Sequence, residues 1–220
     1  MRRAFSGTNQ TEVMMKLFLA LFLGFCAAAV SAEEFAPDVQ VKAITDEVIA
    51  IVRQDKDLGA FNQKKVSDLV DAKVLPYFDF ARMTAIAVGR NWPKASPEQQ
   101  KLLTGEFRTL LVRTYSSALS SYKNQAIEVK PLRAAAGDSE VTVRTQIRQP
   151  GAEPMGIDYS LEKTPAGWKI YDVVVGGVSL VATYRESFTV EIRNGGVDGL
   201  IKSLASKNRS LDGHLGAKPA

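Results

Sequence analysis

Between Ala36 and Asp57, Val41, Ile44, Val48, Ile51 and Val52 recur at helical spacing with charges between them. That pattern predicts an amphipathic helix. Asn62 can cap a second helix, whose stripe is Val66, Leu69, Val70 and Val74 and which Pro76 stops. Asp79 can cap a third, carrying Phe80, Met83 and Ala87, with Gly89 as its C-terminal stop. Ser96-Pro97-Glu98-Gln99 is a strong helix start. Ser caps, Pro occupies the first turn, and Gln can close a capping box. The helix it opens is expected to reach about Tyr122, on a stripe of Leu103, Phe107, Leu110, Leu111, Thr114, Ala118 and Leu119.

After Asn124 the period changes to two. Ile127 and Val129 begin a strand that Pro131 weakens. Val141, Val143, Thr145 and Ile147 alternate with Thr142, Arg144, Gln146 and Arg148, which predicts a half-buried strand. Met155, Ile157, Tyr159 and Leu161 alternate with polar or small residues in a third, and Trp168–Val175 forms a fourth. Pro150-Gly151 and Pro165-Ala166-Gly167 are short turns, so neighbouring strands are antiparallel. Gly176-Gly177 is expected to end the sheet. Val181, Tyr184, Phe188 and Ile192 return to helical spacing, and a short last helix carries Val197, Leu200, Ile201 and Leu204 after Gly195-Gly196. Ser206 onward reads as a loose polar tail. Helices, an antiparallel meander, then helices make an α+β chain with a sheet of about four strands.

The N-terminus stands apart. Leu17–Val30 is fourteen uncharged, mostly apolar residues behind Lys16, followed by Val30-Ser31-Ala32 and then Glu33-Glu34. This is the order of a secretory signal, and the stretch is shorter than the ~20 residues of a membrane span. Residues 1–32 are therefore expected to be an extension and a cleaved signal peptide, 33–205 the folded domain, and 206–220 a flexible tail. Bulky Phe25 before Cys26 argues against a lipoprotein signal. Of 28 basic and 24 acidic residues, 25 and 23 remain after such cleavage. With no dense basic run, nucleic acid is not an expected partner.

Chemistry is sparse. The chain has one Cys, Cys26 within the signal, and one His, His214 near its end. Disulfide scaffolds, Cys/His zinc sites and nucleophile pairs with His lack residues to build them. The pairs Asp55/Asp57 and Asp68/Asp71 lie on polar helix faces. A small periplasmic hydrolase using paired carboxylates is one alternative reading, and a structural adaptor with a solid core is another. The aromatic residues fit either a packed core or an apolar ligand cavity between sheet and helices.

Leu75-Pro76-Tyr77-Phe78, Val88-Gly89-Arg90, Trp92, Ala95-Ser96-Pro97-Glu98-Gln99, Phe107-Arg108, Leu111 and Arg113-Thr114-Tyr115 form an ordered set. Trp168-Lys169-Ile170-Tyr171-Asp172-Val173, Gly177-Val178-Ser179-Leu180-Val181 and Tyr184-Arg185 continue it. From about Pro37 to Leu204 the chain resembles the MlaC (toluene-tolerance, Ttg2-type) family. The resemblance implies a periplasmic carrier of glycerophospholipid without catalytic activity or a cofactor, the lipid being cargo. It implies exchange between an MlaA-type outer-membrane lipoprotein complex and an MlaD-type MCE-domain subunit of an inner-membrane ABC transporter. It also implies a strongly bent antiparallel sheet, covered by N- and C-terminal helices, that encloses the acyl chains and leaves the head group at the mouth.

Such a carrier must match the burial of two acyl chains, at about 0.8 kcal/mol per CH2. It therefore needs a deep apolar cavity. On this reading Val141, Val143, Ile147, Ile157, Tyr159 and Leu161 are candidates for its floor. Phe80, Met83, Phe107, Leu111 and Tyr115 are candidates for its walls, though the same residues would serve a solid core. Arg113 and Arg144, with Arg82 behind them, are candidates for head-group contacts.

Overall fold

The structure, a computed structural model, describes residues 36–54, 63–115, 125–135 and 137–215. All belong to one unit, Phe35–Ala220. The expected signal peptide, Cys26, Asp55 and Asp57 lie outside the described residues.

Helices α1 (Pro37–Gln54) and α2 (Gln63–Lys73) come first. A short 3-10 turn at Leu75–Tyr77 leads to α3 (Phe80–Val88). The Asp79 carboxylate accepts the Arg82 N–H at 2.8 Å, and Gly89 ends the helix at φ 61°. Helix α4 (Pro97–Tyr115) opens on a closed capping box. Gln99 N–H donates to Ser96 Oγ at 3.2 Å, and Ser96 N–H donates back to Gln99 Oε1 at 3.0 Å. The expected extension of α4 to Tyr122 falls outside the described residues.

Five antiparallel strands follow in sequential order, β1 (Ala126–Val129), β2 (Glu140–Arg148), β3 (Met155–Thr164), β4 (Gly167–Val175) and β5 (Val178–Ser179). The fifth strand corrects the expected end at Gly176-Gly177. Both glycines have positive φ, 57° and 86°, and Val175 pairs with Val178 across them. Two consecutive positive φ values make the hairpin turn whose twist matches that of the strands, so the chain folds back instead of leaving. Between Ser160 and Leu161 the register shifts, and Tyr171 is the extra residue on β4. This bulge changes the parity of β4. Leu161 pairs with Ile170, whereas Tyr159 pairs with Val173, so Ile170 and Val173 both belong to the inner face.

The last helix, α5 (Arg185–Leu215), is two helical pieces joined at Gly196, whose φ of 66° is non-helical. It continues past Ser206, where the sequence pattern predicts a loose tail. Its anchors there are mostly polar, which hydrophobic periodicity does not register. The buried Asn208 amide donates to the Glu106 carbonyl at 2.9 Å and carboxylate at 2.7 Å. The Arg113 guanidinium donates to the Asn208 carbonyl at 2.6 Å, and Leu211 packs on the helical core.

There are two principal apolar clusters. One joins α3, α4 and α5 around Phe107, whose ring meets Tyr184 and Phe188 edge-on at 5.1 and 5.2 Å. The other joins α1 to the inner sheet face through Val41, Val141, Val143, Leu161, Trp168 and Ile170.

Candidate functional site

Between these clusters the packing does not close. A cavity of about 330 Å3 lies there, within the range of small-molecule sites, about 300–1,000 Å3. One side is the α1 face of Val41, Ile44, Thr45, Val48, Ile49 and Val52. That spacing of i, i+3, i+4, i+7, i+8 and i+11 is one continuous helical face. Val70, Val74 and Leu75 add a second side, and Phe78, Phe80, Met83, Leu111, Val112 and Tyr115 a third. The sheet contributes Ile127, Tyr159, Ile170 and Val173, with Leu180 beyond it. Among the described residues, the lining holds no charged side chain.

Its few polar atoms are mostly engaged. The Thr45 hydroxyl donates to the Val41 carbonyl at 2.8 Å. The Tyr159 hydroxyl hydrogen-bonds Thr145, and burial pushes its pKa up. Thr145 in turn donates to the Ile157 carbonyl at 2.7 Å. Tyr115 lies beside Tyr184, whose hydroxyl pKa is pushed up to about 12, first by burial and then by Tyr115. Burial thus keeps the Tyr159 hydroxyl neutral at physiological pH, and the described lining offers contact area and almost no electrostatic specificity.

Of the wall candidates, Phe80, Met83, Leu111 and Tyr115 line this cavity, as does Tyr159 from the floor set. Phe107 is instead fully buried in the helical cluster. Val141, Val143 and Leu161 pack against Trp168 and Ile170 in the sheet cluster. Ile147 and Ile157 are half-buried and are not among the lining residues. The sequence reading missed most of α1 and α2. Their signal was present as the width of the α1 stripe, broader than contact with one surface requires.

The three arginines are each committed away from the lining. Arg113 bonds Asn208 on α5. Arg144 is exposed on the outer sheet face, 3.9 Å from Asp158. Arg82 binds Glu162 and, at 2.7 Å, Glu140, and its guanidinium stacks 3.6 Å from the centre of the Tyr171 ring. Tyr171 donates to Glu140 at 3.1 Å. This group fastens α3, which carries Phe80 and Met83, to the sheet. Burial opposes the Arg82 charge, but the bonds to Glu140 and Glu162 outweigh it and raise its pKa. Hydrogen bonds from Arg82 and then Tyr171 hold the Glu140 carboxyl below its ordinary range.

A carboxyl depressed in the folded state stabilises the protein above the ordinary carboxylate range and loses that contribution as pH falls. Wild type is thus expected to be slightly more stable than Glu140→Gln at neutral pH, with the gap closing on acidification. Thermal melts of both proteins across pH check this.

Among the described residues, no helix is long and apolar enough to cross a membrane, and no group of three His, Cys, Asp or Glu is placed to hold a metal ion. A profile of the MlaC family, described as MlaC protein, matches residues 42–206.

The chain belongs to the MlaC family.

Proteins of similar sequence include the toluene tolerance protein ttg2D of Pseudomonas putida, 24% identical over 208 residues, 91% of this chain and 95% of that one. The intermembrane phospholipid transport system binding protein MlaC of Haemophilus influenzae is 22% identical over 198 residues, 89% of this chain and 92% of its own. A solved structure of the phospholipid-binding protein from Ralstonia solanacearum, in complex with a phospholipid, is 44% identical. It superposes with a TM-score of 0.74 over 80% of this chain and 98% of that one.

Proposed function

We propose that this protein is a periplasmic phospholipid carrier that shuttles glycerophospholipid between outer and inner membranes and so maintains outer-membrane lipid asymmetry. The observation that carries the reading is the uncharged cavity left open between the two apolar clusters. The phospholipid complex of the Ralstonia relative and the transport role named for the Haemophilus relative support it. Phe80, Met83, Leu111, Tyr115 and Tyr159, together with the α1 face, contact the acyl chains. An MlaA-type outer-membrane lipoprotein complex and an MlaD-type subunit of an inner-membrane ABC transporter are the partners with which it exchanges lipid. Residues 1–32 direct it to the periplasm. The cargo leaves as it arrived, so the role needs no catalytic group.

Energetics disfavour a dry, empty cavity. A dry, empty apolar space of 330 Å3 would cost on the order of 8 kcal/mol at about 24 cal/mol per Å3. That is comparable to the whole stability of a domain, about 5–15 kcal/mol. The space is therefore filled by ligand, wetted or collapsed. Protein purified gently from a bacterial host is expected to carry about one phospholipid per chain, and stripping it is expected to lower the melting temperature. Mass spectrometry and phosphorus analysis of organic extracts read the first, and thermal melts the second. Folded protein without lipid phosphorus would overturn the proposal.

A further inference from the structure

We infer that Arg108 holds the anionic phosphate of the cargo at the rim of the cavity. The inference rests on the carrier reading above and names the residue that reading lacks.

Arg108 precedes Leu111 and Val112 by one turn of α4, and Tyr115 by two. Positions 108, 111, 112 and 115 share one helical face. The last three line the cavity, whereas the Arg108 side chain is 47% exposed. Its guanidinium lies 5.8 Å from the centre of the Phe80 ring, itself part of the lining. Its Nη2 donates to Asp71 Oδ1 at 2.7 Å, and Asp71 directly follows the lining residue Val70 on α2. Arg108 thus stands where the apolar wall reaches water.

A phosphodiester cannot follow its acyl chains into an uncharged cavity, because its desolvation would be uncompensated. It needs a cationic partner where the wall meets water, and Arg108 offers one on the same helical face as Leu111, Val112 and Tyr115. A guanidinium suits that position. It is planar, weakly hydrated and able to rest on an aromatic ring, and its five N–H donors form a fork that matches phosphate oxygens. The bond to Asp71 uses Nη2, so another edge of the fork can take a phosphate oxygen. The carboxylate of Asp71 also opposes a nearby phosphate, which gives the test its sign.

Delipidated mature protein is titrated with dioctanoyl phosphatidylglycerol and with dioctanoylglycerol, which has the same acyl chains and no phosphate. Arg108→Gln is expected to weaken the phospholipid by about three- to tenfold and leave the diacylglycerol unchanged. Added salt should narrow the difference. Asp71→Asn breaks the same ion pair but is expected to bind the phospholipid as well as wild type or more tightly. Parallel losses in the two variants would make Arg108 only a strut between α2 and α4, and overturn the inference. So would an equal effect of Arg108→Gln on both lipids, or none on either. If wild type binds neither lipid, the carrier reading falls and this inference with it. If wild type binds both and Arg108→Gln does not discriminate, only the inference falls.

Discussion

Val143→Asp is expected to abolish folding, while Thr142→Asp, one residue away, costs up to about 1 kcal/mol. The two neighbours point to opposite faces of β2. Thr142 is exposed on the outer face. Val143 is completely buried, pairs with Tyr159 and packs in the cluster of Leu161, Trp168 and Ile170. It is not among the cavity-lining residues. A carboxylate there meets neither water nor a cation. An isolated buried charge costs far more than a hydrogen-bonded polar group, and its protonation at neutral pH would still leave a polar group in an apolar cluster. Set against a total stability of about 5–15 kcal/mol, that leaves little folded protein. Circular dichroism and soluble yield of both variants read the result. A folded Val143→Asp protein with reduced lipid content would instead make Val143 part of the cavity wall.

That contrast marks how far the sequence could be read. Alternation along β2 correctly placed Val141, Val143 and Thr145 on one face, because strand parity depends only on local geometry. Whether that face meets a helix or a void depends on α1, more than 80 residues earlier, and period carries no such information. Parity also fails at Tyr171, where the extra residue on β4 brings Ile170 and Val173 to the same face. The capping box at Ser96 was legible because its partners lie three residues apart. The end of α5 was not, because Asn208 is held by Glu106 and Arg113, about a hundred residues away, through contacts that look like surface polarity in a linear pattern. The arginines show the same limit. Arg82 and Arg113 sit next to lining residues in sequence, but their side chains are committed to Glu140, Glu162 and Asn208.

Filling the cavity is expected to produce a crossed result, lost lipid without lost stability. Val48 on α1 and Val173 on β4 both line it. Val48→Phe combined with Val173→Phe places two rings in space that the acyl chains would use. If the site is a cavity, the rings occupy volume already present. The stripped double variant should then melt at or above stripped wild type, because the rings bury apolar surface in space that the stripped wild type must leave wetted or collapsed. Its lipid content should fall several-fold. If the site were solid core, the same rings would force side chains off their rotamers and cost about 1–3 kcal/mol. The stripped-state comparison is essential, because wild type with bound lipid is further stabilised by that ligand. Phosphate per chain and the two melting curves together decide it. Reduced stability of the stripped variant with unchanged lipid content would place the lipid elsewhere on the molecule.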